Sequence, residues 1–245
     1  FARLSDDDAS ELDAALLVAR VIDEHLDAER TRAQVLKLAE TARADGVDDV
    51  KALLVFLDGQ GFGQGALTEV DLTHSSIDWL LQQHQALPIV VAVLVIAMAR
   101  VLGMRAAGVN YPGHFLLEVN DQLIDPIGLG VVRRDSLPRP EGVPADELFS
   151  NANAMMIAFR MLNNLKAYNL RLQNWRGMLA VSDYQVALAH AEPNLLGMVH
   201  FERGEYSQQL GESDAALEEY IRCVELCERN SLVEEAKARV NTLLA

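Results

Sequence analysis

Cysteine is scarce in this chain of 245 residues, which has only Cys223 and Cys227, four positions apart. This excludes a disulfide framework as the source of stability, and we expect a reducing, cytoplasmic environment. Basic residues are also few, 21 Lys and Arg against 36 Asp and Glu, which gives a net charge of -15. Because Lys and Arg are scattered and form no basic patch, we expect neither nucleic acid nor a membrane surface as a partner.

Long apolar runs are missing as well. The longest, ALPIVVAVLVIAMA, covers residues 86–99, whereas a helix that spans a bilayer needs about 20 apolar residues. The run therefore reads as a buried core element. Its many valines make a strand the competing interpretation, but strands of this length are rare and Pro88 is favoured at the first position of a helix. We predict a buried helix from Pro88 to Leu102.

Helical spacing is common in the first third of the chain. SDDDASELD starts one helix, and two more are predicted over Ala28–Ala44 and Val47–Leu57. The glycine-rich DGQGFGQG that follows, Asp58–Gly65, has no Lys after its last glycine and no strand before it. It is therefore interpreted as a tight turn around Phe62 and not as a phosphate loop. A further helix is predicted over Ser75–His84.

A short antiparallel sheet is predicted after the buried helix. Arg105–Asn110 is rich in β-formers, and HFLLEV and QLID flank the dipeptide Asn120–Asp121, which is typical of a two-residue hairpin loop. That loop places Asp125 opposite Leu116. Since side chains alternate along a strand, His114, Leu116 and Asp125 are expected on one face, with His114 diagonal to Asp125.

The style of the sequence changes after a connector rich in proline and glycine, residues 126–144. All that follows is predicted to be helical, over residues 150–170, 175–191, 195–210, 213–228 and 232–244. RLQNWRGMLAVSDYQVAL and LGESDAALEEYIRCVEL form a weak internal repeat at an offset of 38, and YSQQLGESDAALEEY fits the tetratricopeptide consensus. We predict two domains, residues 1–149 and residues 150–245.

Several motifs carry a family resemblance. GVNYPGHFLLEV, then Ile-Asp-Pro, then RMLNNLK (Arg160–Lys166) and the repeat helices resemble the bacterial SirB-type proteins, as do FGQG (Phe62–Gly65) and LPI (Leu87–Ile89). The resemblance implies a transglutaminase-like, papain-like core followed by tetratricopeptide helices. The expected fold class is α+β: a helical N-terminal part, a small antiparallel sheet packed on the buried helix, and helical hairpins.

The resemblance also assigns chemistry. In active transglutaminase-like enzymes a Cys begins the buried helix, a His lies on a neighbouring strand and an Asp on the next, so that the thiol is activated and the His oriented. By that pattern His114 and Asp125 are the catalytic pair, and the nucleophile belongs near Pro88. Residues 87–102 contain neither thiol nor hydroxyl. SirB-type relatives carry Ser near the start of this helix, where this chain has Val90 and Ala92. We interpret the pair as a vestigial dyad, bonded across the sheet, with His114 facing Pro88.

Other residues have open alternatives. Asn110, Tyr111, His74 and Ser75 are candidate binding residues, and Ser75 either caps a helix or serves as a replaced nucleophile beside Ser76. His74, His84, His114 and Asp125 include zinc-ligand types without a tight spacing, and Cys223 with Cys227 lies one helical turn apart on one face. We do not assign the three histidines and Asp125 to a metal site. The two cysteines are interpreted as small buried residues at a helix interface.

The function expected from the sequence is a non-catalytic, degenerate transglutaminase-like protein that binds a protein or peptide partner and needs no cofactor. The alternative is a hydrolase or acyl-transferase that uses His114 and Asp125 with a replaced nucleophile.

Overall fold

The structure is a computed structural model that describes residues 1, 4, 9–63, 67–139, 148–228 and 230–244. The chain forms two compact units. One comprises Asp6–Met161, and the other comprises Leu162–Ala245 with Phe1–Ser5.

Five α-helices precede the sheet in the described part of the first unit. They are α1 (Glu11–Ile22), α2 (Ala28–Ala44), α3 (Val50–Gly59), α4 (Ile77–Gln83) and α5 (Pro88–Val101), with a 3-10 turn at Leu72–Ser75 before α4. Four of them start on a side-chain cap that accepts a backbone N–H of the first turn: Ser10, Asp27, Asp49 and Ser76. The bounds predicted for α2 are confirmed, and α3 begins at Val50 because Asp49 is its cap.

Helix α5 is the centre of this unit, and the prediction of a helix over the competing strand is confirmed. Ten of its residues are buried, as expected for a helix that is apolar on all sides. Within the described residues, no single helix is long and apolar enough to cross a membrane. Helices α4 and α5 meet the length and composition criteria only when joined, and they are bent by 86° at the break between them.

The sheet has five antiparallel strands in the order β4-β3-β2-β1-β5. They are β1 (Ala106–Tyr111), β2 (His114–Val119), β3 (Gln122–Asp125), β4 (Gly130–Val131) and β5 (Asn151–Ala152). Leu117 pairs with Ile124 and Val119 with Gln122, so the predicted register of the β2–β3 hairpin is confirmed. Its two loop residues, Asn120 and Asp121, have φ of 46° and 65°, the left-handed conformation that a two-residue loop of this kind requires.

Both faces of the sheet are covered by apolar groups. One face carries a cluster of Val109, Tyr111, Leu116, Leu123 and Leu148, against which Val132, Leu137 and Phe149 pack. The cluster contains no residue of α5, although α5 contacts both β1 and β2. Because neighbouring residues alternate between faces, α5 lies on the other face, which presents Phe115, Leu117 and the fully buried Ile124. Part of the connector thus covers the face that α5 leaves open.

The helix predicted from Ser150 begins four residues later than expected, as α6 (Ala154–Arg171). Residues 151 and 152 instead form β5, which pairs with Gly108 and Val109. Gly108 leaves room for the Phe115 ring and for Ile157 of α6, since a Cβ there would lie 2.8 Å from Phe115 Cζ and 3.2 Å from Ile157 Cδ1. The start of α6 is therefore set by the sheet edge.

The second unit holds four further helices after α6. They are α7 (Trp175–Leu188), α8 (Pro193–Gln209), α9 (Ser213–Leu226) and α10 (Asn230–Leu244). Helices α7 and α9 start 38 positions apart, which is the offset of the internal repeat. Helices α8 and α9 pack closely because two glycines face the partner: a Cβ at Gly204 would lie 2.6 Å from Tyr220, and one at Gly197 would lie 2.9 Å from Cys227.

Both cysteines are buried and free, Cys223 within α9 and Cys227 at its end. They belong to the apolar cluster of this unit together with Phe201 and Tyr220, so the interpretation as small buried residues is confirmed. Burial and the neighbouring Cys227 raise the pKa of the Cys223 thiol to about 11.

A polar network joins α7, α8 and α9. Glu219 accepts from Arg203 Nε at 2.8 Å and lies 2.6 Å from His200 Nδ1, and Arg203 also donates to Asp183 and Ser182. Burial acts to raise the pKa of Glu219, but the bonds from His200 and Arg203 outweigh it, and the pKa lies below its ordinary value.

Candidate functional site

A cleft of about 240 Å³ opens at the first turn of α5. Its polar lining consists of Thr68, Glu69, His74, His84 and Gln85, and its apolar lining of Phe62, Leu67, Ala86, Pro88, Val91, Pro126 and Ile127. The cleft thus lies where the family resemblance places a nucleophile. Of the candidate binding residues named from the sequence, His74 is in this lining, and so is His84, which was considered there only as a metal-ligand type.

The first turn of α5 is built without a reactive side chain. Leu87 is the N-cap and makes no side-chain bond to the helix; its carbonyl accepts from the N–H of Val90 at 2.9 Å. The N–H of Leu87 in turn donates to the carbonyl of His74 at 2.8 Å. The backbone geometry is therefore held by main-chain bonds, and the side chains that follow, Ile89 and Val90, are apolar and buried.

His114 and Asp125 lie on the same face of the sheet, as the register predicted, but they do not form a pair. Within the described part of the chain, neither a hydrogen bond nor an ion pair joins them. Asp125 Oδ1 accepts the N–H of Ile127 at 2.8 Å, and the exposed His114 ring lies 6.5 Å from the ring of Tyr111. Both residues share the face of Leu116, opposite α5, so the expectation that His114 faces Pro88 is wrong.

His74 and Ser75 end the 3-10 turn beside the cleft. His74 Nδ1 accepts the N–H of Asp71 at 3.1 Å and lies 3.0 Å from the Asp71 carboxylate. Hydrogen bonds from the side chain and the backbone of Thr73 lower the pKa of Asp71. Ser75 is buried and does not line the cleft, whereas Ser76 Oγ accepts the N–H of Trp79 at 3.5 Å. The cap of α4 is thus Ser76, and the expectation that Ser75 caps the helix is wrong by one residue.

His84 is the residue of the cleft that sequence reasoning undervalued. Its ring packs against Phe62, with ring centroids 4.6 Å apart, and Phe62 belongs to the glycine-rich turn whose residues 64–66 lie outside the described chain. His84 ends α4 with φ of 60°, a left-handed position where Gly or Asn is usual and other residues cost about 1 kcal/mol. In the sequence, the available signal was a His at the end of a predicted helix, the position where Gly or Asn is usual.

Asn110 and Tyr111, the other candidate binding residues, occupy different surroundings. Tyr111 is buried in the cluster of the face opposite α5, where its hydroxyl donates to the carbonyl of Pro138. Asn110 is on the face of α5, and its Oδ1 accepts from Arg160 Nη1 at 2.5 Å. Tyr111 therefore has a structural role, and Asn110 is bound to a residue that the sequence had marked only as part of a motif. No group of three or more His, Cys, Asp or Glu side chains is placed to hold a metal ion anywhere in the described residues.

Comparisons with known proteins find relatives of low sequence identity. The chain is 25% identical over 258 aligned positions to a UPF0162 protein of Vibrio cholerae, which covers 97% of this chain and 94% of that protein. It is 27% identical over 195 positions to a UPF0162 protein of Xylella fastidiosa, covering 70% and 68%. A UPF0162 protein of Pseudomonas aeruginosa is 33% identical over 86 positions, 34% of this chain and 32% of that protein. No solved structure matches the chain.

The profile of the transglutaminase-like superfamily matches residues 17–139, half of the chain. This range begins in α1, contains α5 and the β1–β4 strands, and includes the cleft. The buried helix, the sheet on one of its sides and the hairpin that carries His114 and Asp125 are the parts of the structure that the match covers. The chain belongs to the transglutaminase-like superfamily.

Proposed function

We propose that this protein is a non-catalytic member of its superfamily, of the SirB type, that binds a polypeptide partner through the cleft at α5. The observation that carries the proposal is the composition of that cleft. Among the described residues, no cysteine or serine lines it, and the His and Asp of the family pattern are on the far face of the sheet. A thiol-type acyl transfer needs nucleophile, base and orienting acid within hydrogen-bond reach of one another.

The lining supports a polypeptide as the ligand. The lining combines apolar side chains, such as Leu67, Val91 and Ile127, with hydrogen-bonding side chains, such as Thr68, Glu69 and Gln85. An extended peptide offers both kinds of group, since its backbone bonds to polar side chains and its own side chains fill apolar recesses. Ile127 is 37% exposed at the rim, which leaves an apolar contact available to a partner.

The helices of the second unit support a partner role in a different way. Helices α7 to α10 form consecutive hairpins whose repeat offset is 38 residues, and we propose that they are tetratricopeptide-like. Arrays of this kind present extended surfaces to other proteins. The second unit and the cleft are thus proposed as two separate contributions to partner binding.

Catalysis is tested directly on the intact chain. Amine incorporation into a glutamine-containing protein and hydrolysis of peptide amides should both stay at the level of the buffer blank. His114→Ala provides the control, because a turnover that this change abolishes would establish the alternative, a hydrolase or acyl-transferase with a replaced nucleophile.

Binding is tested with peptides selected from a random library displayed against the intact chain. Ile127→Glu places a charge at the rim of the cleft and should weaken the selected peptides at least tenfold. Val55→Glu is the matched control, since Val55 is 64% exposed on α3 and does not line the cleft. Equal loss in both variants, or none in either, would show that the cleft is not the binding site.

A further inference from the structure

Arg160 is unusual among the basic residues of the described chain. Five Lys or Arg residues there are buried or half-buried, and four of them have a carboxylate within 4 Å: Arg32, Lys166, Arg203 and Arg239. Arg160 is the fifth and has no carboxylate partner in the described chain. A charged group removed from water is normally paired with an opposite charge, because the free energy lost on desolvation exceeds the free energy gained from contacts with neutral groups. In a chain with 36 acidic residues, an acidic partner was readily available.

The contacts that Arg160 does make are to neutral groups. Nη1 donates to Asn110 Oδ1 at 2.5 Å and lies 3.4 Å from the carbonyl of Tyr111. The guanidinium carbon lies 5.3 Å from the centre of the Phe115 ring. Burial lowers the pKa of Arg160, and no acidic group opposes that effect.

These contacts fix the orientation of the guanidinium and leave part of it unused. The Phe115 ring meets the group over its aromatic face, whereas hydrogen bonds to a guanidinium lie in its plane. One of its three nitrogens is bonded, and the other two, Nε and Nη2, donate to no protein atom that the structure describes. A planar group held at one nitrogen with two free donors matches the two oxygens of a carboxylate.

We propose that Arg160, positioned by Asn110 and Phe115, is a binding site for a carboxylate group of a ligand. The net charge of -15 gives no general attraction for anions, so recognition rests on this local, pre-oriented donor pair. The site lies on the α5 face of the sheet near the end of β1. Strands β1 and β3 run in the same direction with β2 between them, so their C-terminal ends lie at the same end of the sheet. The Arg160 site is therefore at the same end of the sheet as the cleft, about 10 Å across from the end of β3. The proposal does not depend on the partner role of the cleft.

The test is a titration of the intact protein followed by NMR of the arginine side chains, with the Nε–Hε signal of Arg160 assigned from Arg160→Lys. Sodium succinate is added against sodium chloride at equal ionic strength. The Arg160 signal should shift and saturate with succinate, while exposed arginines shift only with ionic strength. A shift of Arg160 that follows ionic strength alone overturns the proposal.

Further arms identify the ligand chemistry. Inorganic phosphate is the competing anion, because a guanidinium binds phosphate as well as carboxylate with two hydrogen bonds. Weaker binding of phosphate than of succinate supports the assignment to carboxylates, and phosphate that binds as tightly as succinate overturns it. An acetylated trialanine with a free C-terminus, its C-terminal amide, and an acetylated Ala-Glu-Ala amide separate a chain terminus from an acidic side chain. A terminal source predicts saturation with the first peptide only, a side-chain source with the third only, and saturation with the amide overturns a carboxylate site.

The variants complete the design. Arg160→Lys keeps the charge but loses the planar donor pair and should weaken succinate at least tenfold. Arg30→Gln removes an exposed arginine that has no ion pair in the described chain and should leave the affinity unchanged. Unchanged affinity in Arg160→Lys, or an equal loss in Arg30→Gln, refutes a specific site. If Arg160→Lys does not fold, the Nε–Hε signal of Arg160 is assigned by through-bond NMR experiments on the unmodified protein, and the titration of that protein decides the matter.

Discussion

His114 and Asp125 should behave as energetically independent residues, which a double-mutant cycle of His114→Ala and Asp125→Ala will measure. In a vestigial catalytic pair the two side chains would be bonded, and removal of one would leave the other unsatisfied. In the structure each has its own surroundings. Asp125 holds the turn after β3 through the N–H of Ile127, at 2.8 Å, and His114 is exposed.

The magnitudes follow from those contacts. Asp125→Ala removes one acceptor from a half-buried turn, which should cost about 0.5–1.5 kcal/mol of unfolding free energy. His114→Ala changes an exposed side chain and should stay within about 0.5 kcal/mol. The double variant should equal the sum of the two, with a coupling below about 0.5 kcal/mol, whereas bonded neighbours couple by about 0.5–3 kcal/mol.

Urea unfolding of the intact chain, followed by far-ultraviolet circular dichroism, supplies the four free energies. Asp125→Asn is the control, because its amide oxygen still accepts from Ile127 and the stability should remain close to that of the parent. A coupling well above 0.5 kcal/mol, or a cost of Asp125→Ala that disappears when His114 is already absent, would show that the two side chains interact and that our assignment of separate roles is wrong.

Three further outcomes are expected. Gly204→Ala should lower the unfolding free energy by about 1–3 kcal/mol, because the new Cβ would lie 2.6 Å from the Tyr220 ring. Gly59→Ala, with nothing within 4 Å of the new Cβ, should raise the unfolding free energy by about 0.5–1 kcal/mol. Equal urea midpoints in the two variants would contradict both expectations. Cys223, with its pKa raised to about 11, has about one thousandth of its thiol ionised at pH 8, so iodoacetamide should modify it far more slowly in the folded than in the urea-unfolded chain, and similar rates would count against burial. The pKa of Glu219 is lowered in the folded chain, so its contribution to stability is present above the ordinary pKa of 4.5 and is lost as the pH falls through the folded pKa. The stability advantage of the parent over Glu219→Gln should therefore shrink as the pH is lowered through the folded pKa. An advantage that grows on acidification would show that the pKa is not lowered by folding.

The elements that local sequence determines were predictable. Asn120–Asp121 predicted the loop of the β2–β3 hairpin, since Asn and Asp tolerate the left-handed conformation that such a two-residue loop requires, and the register followed from the loop length. Helix α5 could be recognised because an apolar run with proline at its start satisfies both the length and the end signal of a helix.

The side of the sheet that α5 covers was not predictable from the strand itself. Phe115, Leu116 and Leu117 are consecutive and all buried, so apolar alternation does not distinguish the face of α5 from the face covered by the connector. The resemblance placed His114 against α5, and the second apolar layer around Leu148 and Phe149 decided otherwise.

Contacts between residues far apart in sequence were the other gap. Arg160 and Asn110 are 50 positions apart, and neither the helical spacing around one nor the strand pattern around the other indicates the bond. β5 escaped prediction because it has only two residues, Asn151 and Ala152, and pairing at a sheet edge leaves no periodic trace in so short a segment.

The apolar start of α5 and the position of His114 together predict that a single substitution would not create a thiol-type site here. A thiol placed at Val90 would gain the favourable field of the α5 N-terminus, which lowers the pKa of a cysteine. The base that should take its proton is on the opposite face of the sheet, where the layer formed by Tyr111 and its neighbours occupies the space that an active site would need. Asp125 is bonded to the turn of Ile127 and does not orient an imidazole. The two residues of the family motif are thus retained in sequence while each has a separate contact in the fold, so the motif by itself is not evidence of activity.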